Sequence, residues 1–554
     1  MVNLKKTVAG TLALAMLAGC SSSSTAGSTG GSSTSGSLDT VTIATATDVI
    51  SWDNHVATDG TSFIAQSMFM GGLMELDENG LPVEDLAESY EVSDDQLTYT
   101  FHLRDGLVWS NGDPVTANDF VYSWKRLGNP DTASEYAFIL ETANIVNGGA
   151  YDPDSGLDIE DLGVEAKDDQ TLVVTLDKPT GFFLGLLAFP SFFPLNEEFV
   201  EGLGDQYGTS AENLLACGPY VLDSWNAGES YTFSLNEDYW NYDAMVEEGT
   251  APTVSFKVIQ DTQSALMSYE AGDMQVVTLS GEQVTANEST DGYTARLQGY
   301  NFYLSLNVGH TDDPTLQNLN VRKAMSFALD RETIASSLND GSVAAEGIIP
   351  FELAYNPDGS GNDFRDDNGA VVSYDVEEAK KYYEAACEEL GVDTIELEFL
   401  YGTDEGDSVI KAAEQIQSFL EEVGFSVTLN AKPKKERLNL MNEHDYQVAL
   451  TRWGPDYGDP QTYMDLYVST NTSNNSGGYA NEEYDALVAE AESGTVTEEE
   501  RWQDFLDAEK ILVEEDCGII PVFQAGGAML ISPSISGIEF HSAGVDNYRH
   551  IIVS

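Results

Sequence analysis

Basic residues are scarce in this 554-residue chain: 24 lysines and arginines stand against 94 aspartates and glutamates, a formal net charge of −70. A field of that sign repels phosphates, which excludes nucleic acid as a partner and excludes charge-driven docking on anionic headgroups. It fits a solvated acidic surface and, secondarily, attraction of cationic ligands. Cysteine is nearly absent. Cys20, Cys217, Cys387 and Cys517 lie far apart, so no disulfide framework and no metal-ligand spacing emerges, and the last three are expected as buried or half-buried thiols. The histidines (His55, His102, His310, His444, His541 and His550) form no HExxH pair, and none lies near a GxSxG turn. There is no phosphate loop and no GxGxxG opening a helix. Asp363, Asp366 and Asp367 lack the register of a calcium loop and read as a polar surface loop. No metal, no cofactor and no enzyme chemistry is indicated, although a carboxylate pair of glycosidase type could hide among so many acids.

No apolar run beyond the N-terminus approaches the length of a membrane span. Lys5 and Lys6 precede Val8–Ala18, VAGTLALAMLA, which is too short to span a bilayer and ends in small residues, as an export signal does. Leu17-Ala18-Gly19-Cys20 resembles the lipobox of bacterial lipoproteins, implying cleavage after residue 19 and lipid on Cys20. An ordinary signal peptide with a coincidental cysteine is the alternative. Residues 21–37 are almost entirely Ser, Thr and Gly, a flexible tether with a reach of roughly 20–25 Å. The reading is an extracytoplasmic body held at a bacterial cell membrane. Beyond residue 40 the chain is too long for one ordinary core, and two or three domains are expected.

Strand and helix patterns alternate along that body. YTFHLRD (99–105) and TLVVTLDK (171–178) read as strands. Thr116 and Asp119 open a helix with Phe120, Val121, Trp124 and Leu127 on one stripe. Asp375 caps another, with Ala379, Tyr382, Tyr383 and Ala386 inward and Gly391 as its stop. Ser408 starts a third, with Ile410, Ala413, Ile416, Leu420 and Val423 inward and Gly424 ending it. FSVTLNA (425–431) follows at once as a strand, which is the α/β arrangement.

One stretch carries a resemblance. LTYTFHLRDGLVWSNGDPVTANDFVYSW (97–124) is similar to the signature of the oligopeptide/dipeptide-binding proteins, bacterial extracellular solute-binding protein family 5, the receptors of ABC importers. CGPY (217–220), NEDYW (236–240), VRKAMSFALDRE (321–332) and RWGPDYGDP (452–460) follow in the family's order. The resemblance implies an α/β flytrap of the periplasmic-binding-protein type (class II, cluster C): two lobes on a hinge, with an extra inserted domain. It places lobe I on 40–69, 195–298 and 519–554, the insert on 70–194 and lobe II on 299–518. The implied partners are an oligopeptide, an ABC permease with its ATPase subunits, and the membrane through the lipid anchor. The receptor would be a monomer and not an enzyme. Relatives of this fold carry oligosaccharides or metal chelates, and that alternative stays open, as does, remotely, a surface hydrolase.

The site residues implied are Asp456 for the peptide's α-ammonium, with Trp453 and Tyr457 as flanking rings. Arg452, Trp453 and Gly454 on one side, and Ala57, Thr58 and Asp59 on the other, would pair the peptide main chain. Burying an ammonium strips its water, so a fixed carboxylate acceptor is needed, and Gly and Pro turns around Asp456 would supply the fixity. On residues alone, Asp456 could equally cap its own turn. The family's positive residues for the peptide's carboxylate are replaced by Leu450, Met441 and Ser408. Arg452, Lys434, Lys435 and Arg437 are possible substitutes, each expected by default on solvated surface, and ligand length is unsettled.

Overall fold

The structure is a computed structural model that describes residues 38–153, 155–309, 313–455, 457–471 and 474–554. The export signal, Cys20, the tether and Asp456 lie outside the described residues.

Local sequence sets the helices. Thr116 and Asp119 close a capping box on Ala117–Gly128, which buries Phe120, Trp124 and Leu127 while Val121 stays at the margin. Asp375 caps Val376–Leu390 through the amides of Glu377 and Glu378, and Gly391 ends it at φ 70°. The next helix differs from expectation. It runs Asp407–Val423 from Gly406 rather than from Ser408, whose hydroxyl donates to Asp340 (2.6 Å); Val409 is buried, and Ile410 packs partly buried on the same core as expected. Asp363, Asp366 and Asp367 are not a surface loop. Asp363 and Asp366 form a capping box on the short helix Phe364–Asn368, which delivers Arg365 into a buried pair with Glu509. Cys217 and Cys517 are buried and Cys387 is partly buried, all as free thiols.

One sheet runs through the whole body. Across it the strands are Tyr220–Asn226, Ser230–Leu235, Thr253–Val258, Val41–Thr45, Val276–Leu279, Ile519–Ile531, Tyr293–Leu306, Val448–Trp453, Glu396–Gly402 and Ser426–Lys432. The parallel pair Glu396–Gly402 and Ser426–Lys432 is joined by the helix Asp407–Val423, a βαβ unit. The two longest strands, Tyr293–Leu306 and Ile519–Ile531, lie side by side antiparallel and belong to both halves. Tyr293–Leu297 pairs with Gly526–Leu530, whereas Asn301–Ser305 pairs with Ile519–Gln524, and register breaks between Leu297 and Asn301. A ladder interrupted where two lobes meet is a hinge by construction.

Each half has its own core. Helices Leu319–Ala328, Val376–Leu390 and Asp407–Val423 pack on one side of the second half around Leu304, Phe399 and Ile416. Trp52, Phe69, Tyr231 and Phe233 centre the first. A separate four-stranded antiparallel sheet, Ala87–Val92, Thr98–Leu103, Thr171–Thr175 and Val164–Asp168, covers a third core around Trp109, Phe120 and Trp124. Tyr99, Phe101 and Leu103 alternate inward on it as a period of two demands. Truncating Ile416 to Ala should cost about 2–5 kcal/mol, read as a lowered midpoint in chemical denaturation, because a fully buried side chain leaves a cavity.

Candidate functional site

The strand Val448–Trp453 lies next to the hinge, with Phe302 opposite Arg452 and Asn301 opposite Trp453. On its other edge, pairing with Glu396–Gly402 stops at Ala449. Among the described residues, Leu450–Trp453 therefore has a strand neighbour on one side only. Alternation sends Arg452 and Trp453 to opposite faces. The Arg452 guanidinium lies over the rings of Tyr300 (4.6 Å) and Phe302 (5.5 Å). Gly454 allows this, since a Cβ there would run into the Tyr300 ring. The Tyr463 hydroxyl sits 3.0 Å from the Trp453 carbonyl and 2.5 Å from that of Gly299, tying strand end to hinge. Among the described residues the buried Trp453 indole N–H has no hydrogen-bond partner.

The loop beyond is clamped twice. Tyr457, 7% exposed, stacks on Phe182 of the small antiparallel-sheet domain with centroids 3.9 Å apart and planes 15° from parallel. Asp459 receives both Arg501 nitrogens at 2.8 and 2.6 Å and the Gln461 amide at 2.9 Å. Burial opposes the Arg501 charge, but the Asp459 carboxylate outweighs it and raises the pKa. A bidentate, partly desolvated pair of this kind fixes geometry as well as charge.

A cavity of about 420 Å³ opens between this loop, Phe182 and Phe189, the turn at Tyr355, and His541 near the C-terminus. A smaller one, about 140 Å³, lies against Trp453, Tyr303, Thr451 and Tyr467. The two rings that flank the acid in the sequence thus face different cavities.

Residues 82–475 match the family model described as "Bacterial extracellular solute-binding proteins, family 5 Middle". The chain belongs to that family. A dipeptide-binding protein of Lactococcus lactis is 33% identical over 90% of this chain and 91% of its own. The structure of Listeria monocytogenes OppA bound to peptide shares 33% identity at TM-score 0.71, covering 93% of this chain and 99% of that one. The substrate-binding domain of an oligopeptide ABC transporter from Bacillus anthracis shares 31% at TM-score 0.72, with 93% and 99% covered. The fold is the periplasmic-binding-protein type, two α/β lobes, and the family is one of solute receptors rather than enzymes.

Within this family 5 member, Arg452, Trp453, Gly454 and Tyr457 come together on one segment, whereas Ala57, Thr58 and Asp59 line neither cavity. Asp59 caps the helix Gly60–Phe69, accepting from the Ser62 amide (3.0 Å) and hydroxyl (2.6 Å). Ala57 is buried and donates its amide to the Asp53 carbonyl (3.0 Å), and Thr58 is exposed. Of the cations considered for a ligand carboxylate, Lys434 and Lys435 are exposed on a helix. Arg437 is not on solvated surface. It is buried against Glu405 with contacts of 3.0 and 3.2 Å, because a charge covered by Met441 requires a partner. Arg452 is likewise half-buried over its two rings rather than solvated. Sequence reading missed Phe182 and Arg501. Phe182 sits in the apolar run GFFLGLL, and Arg501 in an acidic helix whose Thr497–Glu500 capping box announces the helix but not its partner.

Asp465, just past the clamped loop, is half-buried, and burial followed by the neighbouring Glu492 holds its pKa well above the usual carboxylate range. A raised folded pKa means the native state binds the proton more tightly, so this contribution to stability is complete below the unfolded value, about 3.9, and is lost as pH rises through the raised one. Asp465→Asn removes that loss. Thermal unfolding of both proteins across pH should show the variant gaining on the parent as pH rises from about 4 toward alkaline values; parallel curves would contradict the assignment.

Proposed function

We infer that this receptor binds oligopeptides between its lobes and delivers them to an ABC importer from an extracytoplasmic, lipid-anchored position. The observation that carries the reading is the one-sided strand Leu450–Trp453 beside the hinge. An extended peptide can add there as a further strand, satisfying its own N–H and C=O groups irrespective of its side chains. The Lactococcus lactis relative is named for dipeptides and the Listeria monocytogenes structure contains a peptide, which supports the same cargo class.

In this reading Asp456 accepts the ligand's α-ammonium, and Trp453 and Tyr457 keep water away from it. Ala57, Thr58 and Asp59 approach from the opposite lobe when the hinge closes. Lobe I takes 40–69, 195–298 and 519–554, the insert 70–194, and lobe II 299–518. Closure is a population shift, since the ligand touches both lobes only in the closed state. Cys20 carries the lipid, residues 21–37 form the tether, the protein works as a monomer, and the permease with its ATPases receives the peptide.

Asp456→Asn should weaken peptide binding by about 2–5 kcal/mol in calorimetry, the cost of leaving a buried charge unpaired, and N-acetylating the peptide should weaken it similarly. Unchanged affinity in either experiment removes the ammonium role, and preference for cello-oligosaccharides over peptides removes the cargo class. Cys20→Ser should abolish incorporation of labelled fatty acid and release the protein from the membrane fraction; a variant still retained there contradicts the anchor.

A further inference from the structure

A single apolar side chain exposed on a protein surface is ordinary. Ile50 and Val56 are a different case. Ile50, at 75%, is the most exposed large apolar side chain among the described residues, and Val56, at 51%, follows in the same loop. Both border one cavity of about 530 Å³, whose other apolar walls are Trp52, Val200, Tyr207 and Trp225. This cavity shares no lining residue with the two beside the strand Val448–Trp453.

The loop that carries the pair is tied down at many points. The Ile50 and Ser51 amides donate to the Ser62 hydroxyl (3.0 and 3.2 Å), and the Gln66 side chain donates to the Ser51 carbonyl (3.1 Å), so the helix Gly60–Phe69 holds one end. Arg126, on the helix Ala117–Gly128, donates both its nitrogens to Asp53 at 2.9 and 2.6 Å. Asn54 donates to the Pro190 carbonyl (2.9 Å), and the Val56 amide to the Asp53 carbonyl (3.1 Å). Ile50 and Val56 are therefore shown to water in a fixed arrangement, which loses little freedom when a partner covers it.

Charge selects the partner. Arg126 is the basic residue on the cavity and is spent on Asp53. That leaves Glu201 and Asp205, both exposed and, among the described residues, neither in an ion pair. A second copy of this chain, at −70, meets such a rim with repulsion. A basic protein surface with an apolar side chain to bury is its complement.

We propose that Ile50, Val56 and the adjoining cavity are the surface on which the ABC permease docks, seating an apolar side chain of its extracytoplasmic face in the cavity and a lysine or arginine against Glu201 and Asp205. This rests on the importer reading and adds the place of contact. The loop runs straight on into Ala57, Thr58 and Asp59, the segment that the same reading brings to the ligand.

The test compares uptake with binding. Cells of the source bacterium carry, as their only copy, the parent, the double variant Ile50→Asp with Val56→Asp, the variant Asp205→Lys, or Met267→Asp, a control at another exposed apolar side chain. Uptake of a labelled pool of tri- to pentapeptides is measured in the cells, and retention of the same pool is measured on each purified full chain. The double variant should lower uptake about tenfold or more while keeping parental retention and melting temperature. Asp205→Lys should lower uptake less, and Met267→Asp should match the parent. A photoreactive benzoylphenylalanine placed at Ile50 should link to a membrane-spanning permease subunit. Parental uptake by the double variant, an equal loss in the Met267→Asp control, or a link to a second copy of this chain overturns the docking surface and leaves peptide binding intact. A double variant that no longer retains peptide also overturns it, since the loop would then serve the ligand. A parent that retains no peptide overturns the importer reading and this proposal together.

Discussion

Two neighbouring strands, Tyr293–Leu306 and Ile519–Ile531, are the constraint on which everything else is hung. They are long enough to enter both halves of the sheet, and their ladder breaks between Leu297 and Asn301. Backbone hydrogen bonds therefore make each lobe stiff and leave the junction as the place where relative motion costs least. Gln524 marks that junction. It is buried at the end of the second half's ladder, and its amide bonds to the carbonyls of Gln298 and Phe351, 3.0 Å each, and the Phe351 amide, 2.9 Å. Every group of the candidate site is positioned relative to it, since Arg452 and Trp453 are paired directly to the first residues past the break.

Charge is used sparingly and locally. The acidic surface is solvated, and inside the lobes three carboxylates are each met by a guanidinium: Glu509 by Arg365, Glu405 by Arg437, Asp459 by Arg501. Such pairs contribute little net stability compared with well-packed apolar groups, yet breaking one leaves a buried charge unpaired, so they hold geometry firmly. The Asp459 pair does this for the loop that follows the open strand edge. The ring stack of Tyr457 on Phe182 holds the same stretch from the other side, and Tyr457 and Asp459 both border the 420 Å³ cavity.

Features that depend on neighbours in sequence were legible before the fold. The Thr116–Asp119 capping box, the Asp375 cap, the stripe of Phe120, Trp124 and Leu127, and the Gly391 stop all report local geometry, and all are present. The family and its two-lobed fold were legible from motif order. Contacts across long separations were not. Nothing in TEEERWQD says that Arg501 will reach Asp459, and nothing in GFFLGLL singles out Phe182 as a partner for Tyr457, because apolar runs and acidic helices look alike whatever they meet. Arg437 was misjudged for the same reason: a cation in the run KPKKER reads as surface until its carboxylate is found 32 residues earlier. The register of Ser408 failed more narrowly, by one residue, once its hydroxyl had a tertiary partner.

The central claim is that the unpaired side of Leu450–Trp453 is where a ligand's backbone lies. Hydrogen exchange of the full chain, with and without a saturating mixed peptide pool, reads this at the amides themselves. Exchange is expected to slow at residues 450–454 on binding, beyond any general slowing from lobe closure. Peptide bound at saturation with the exchange of those amides unchanged would contradict it.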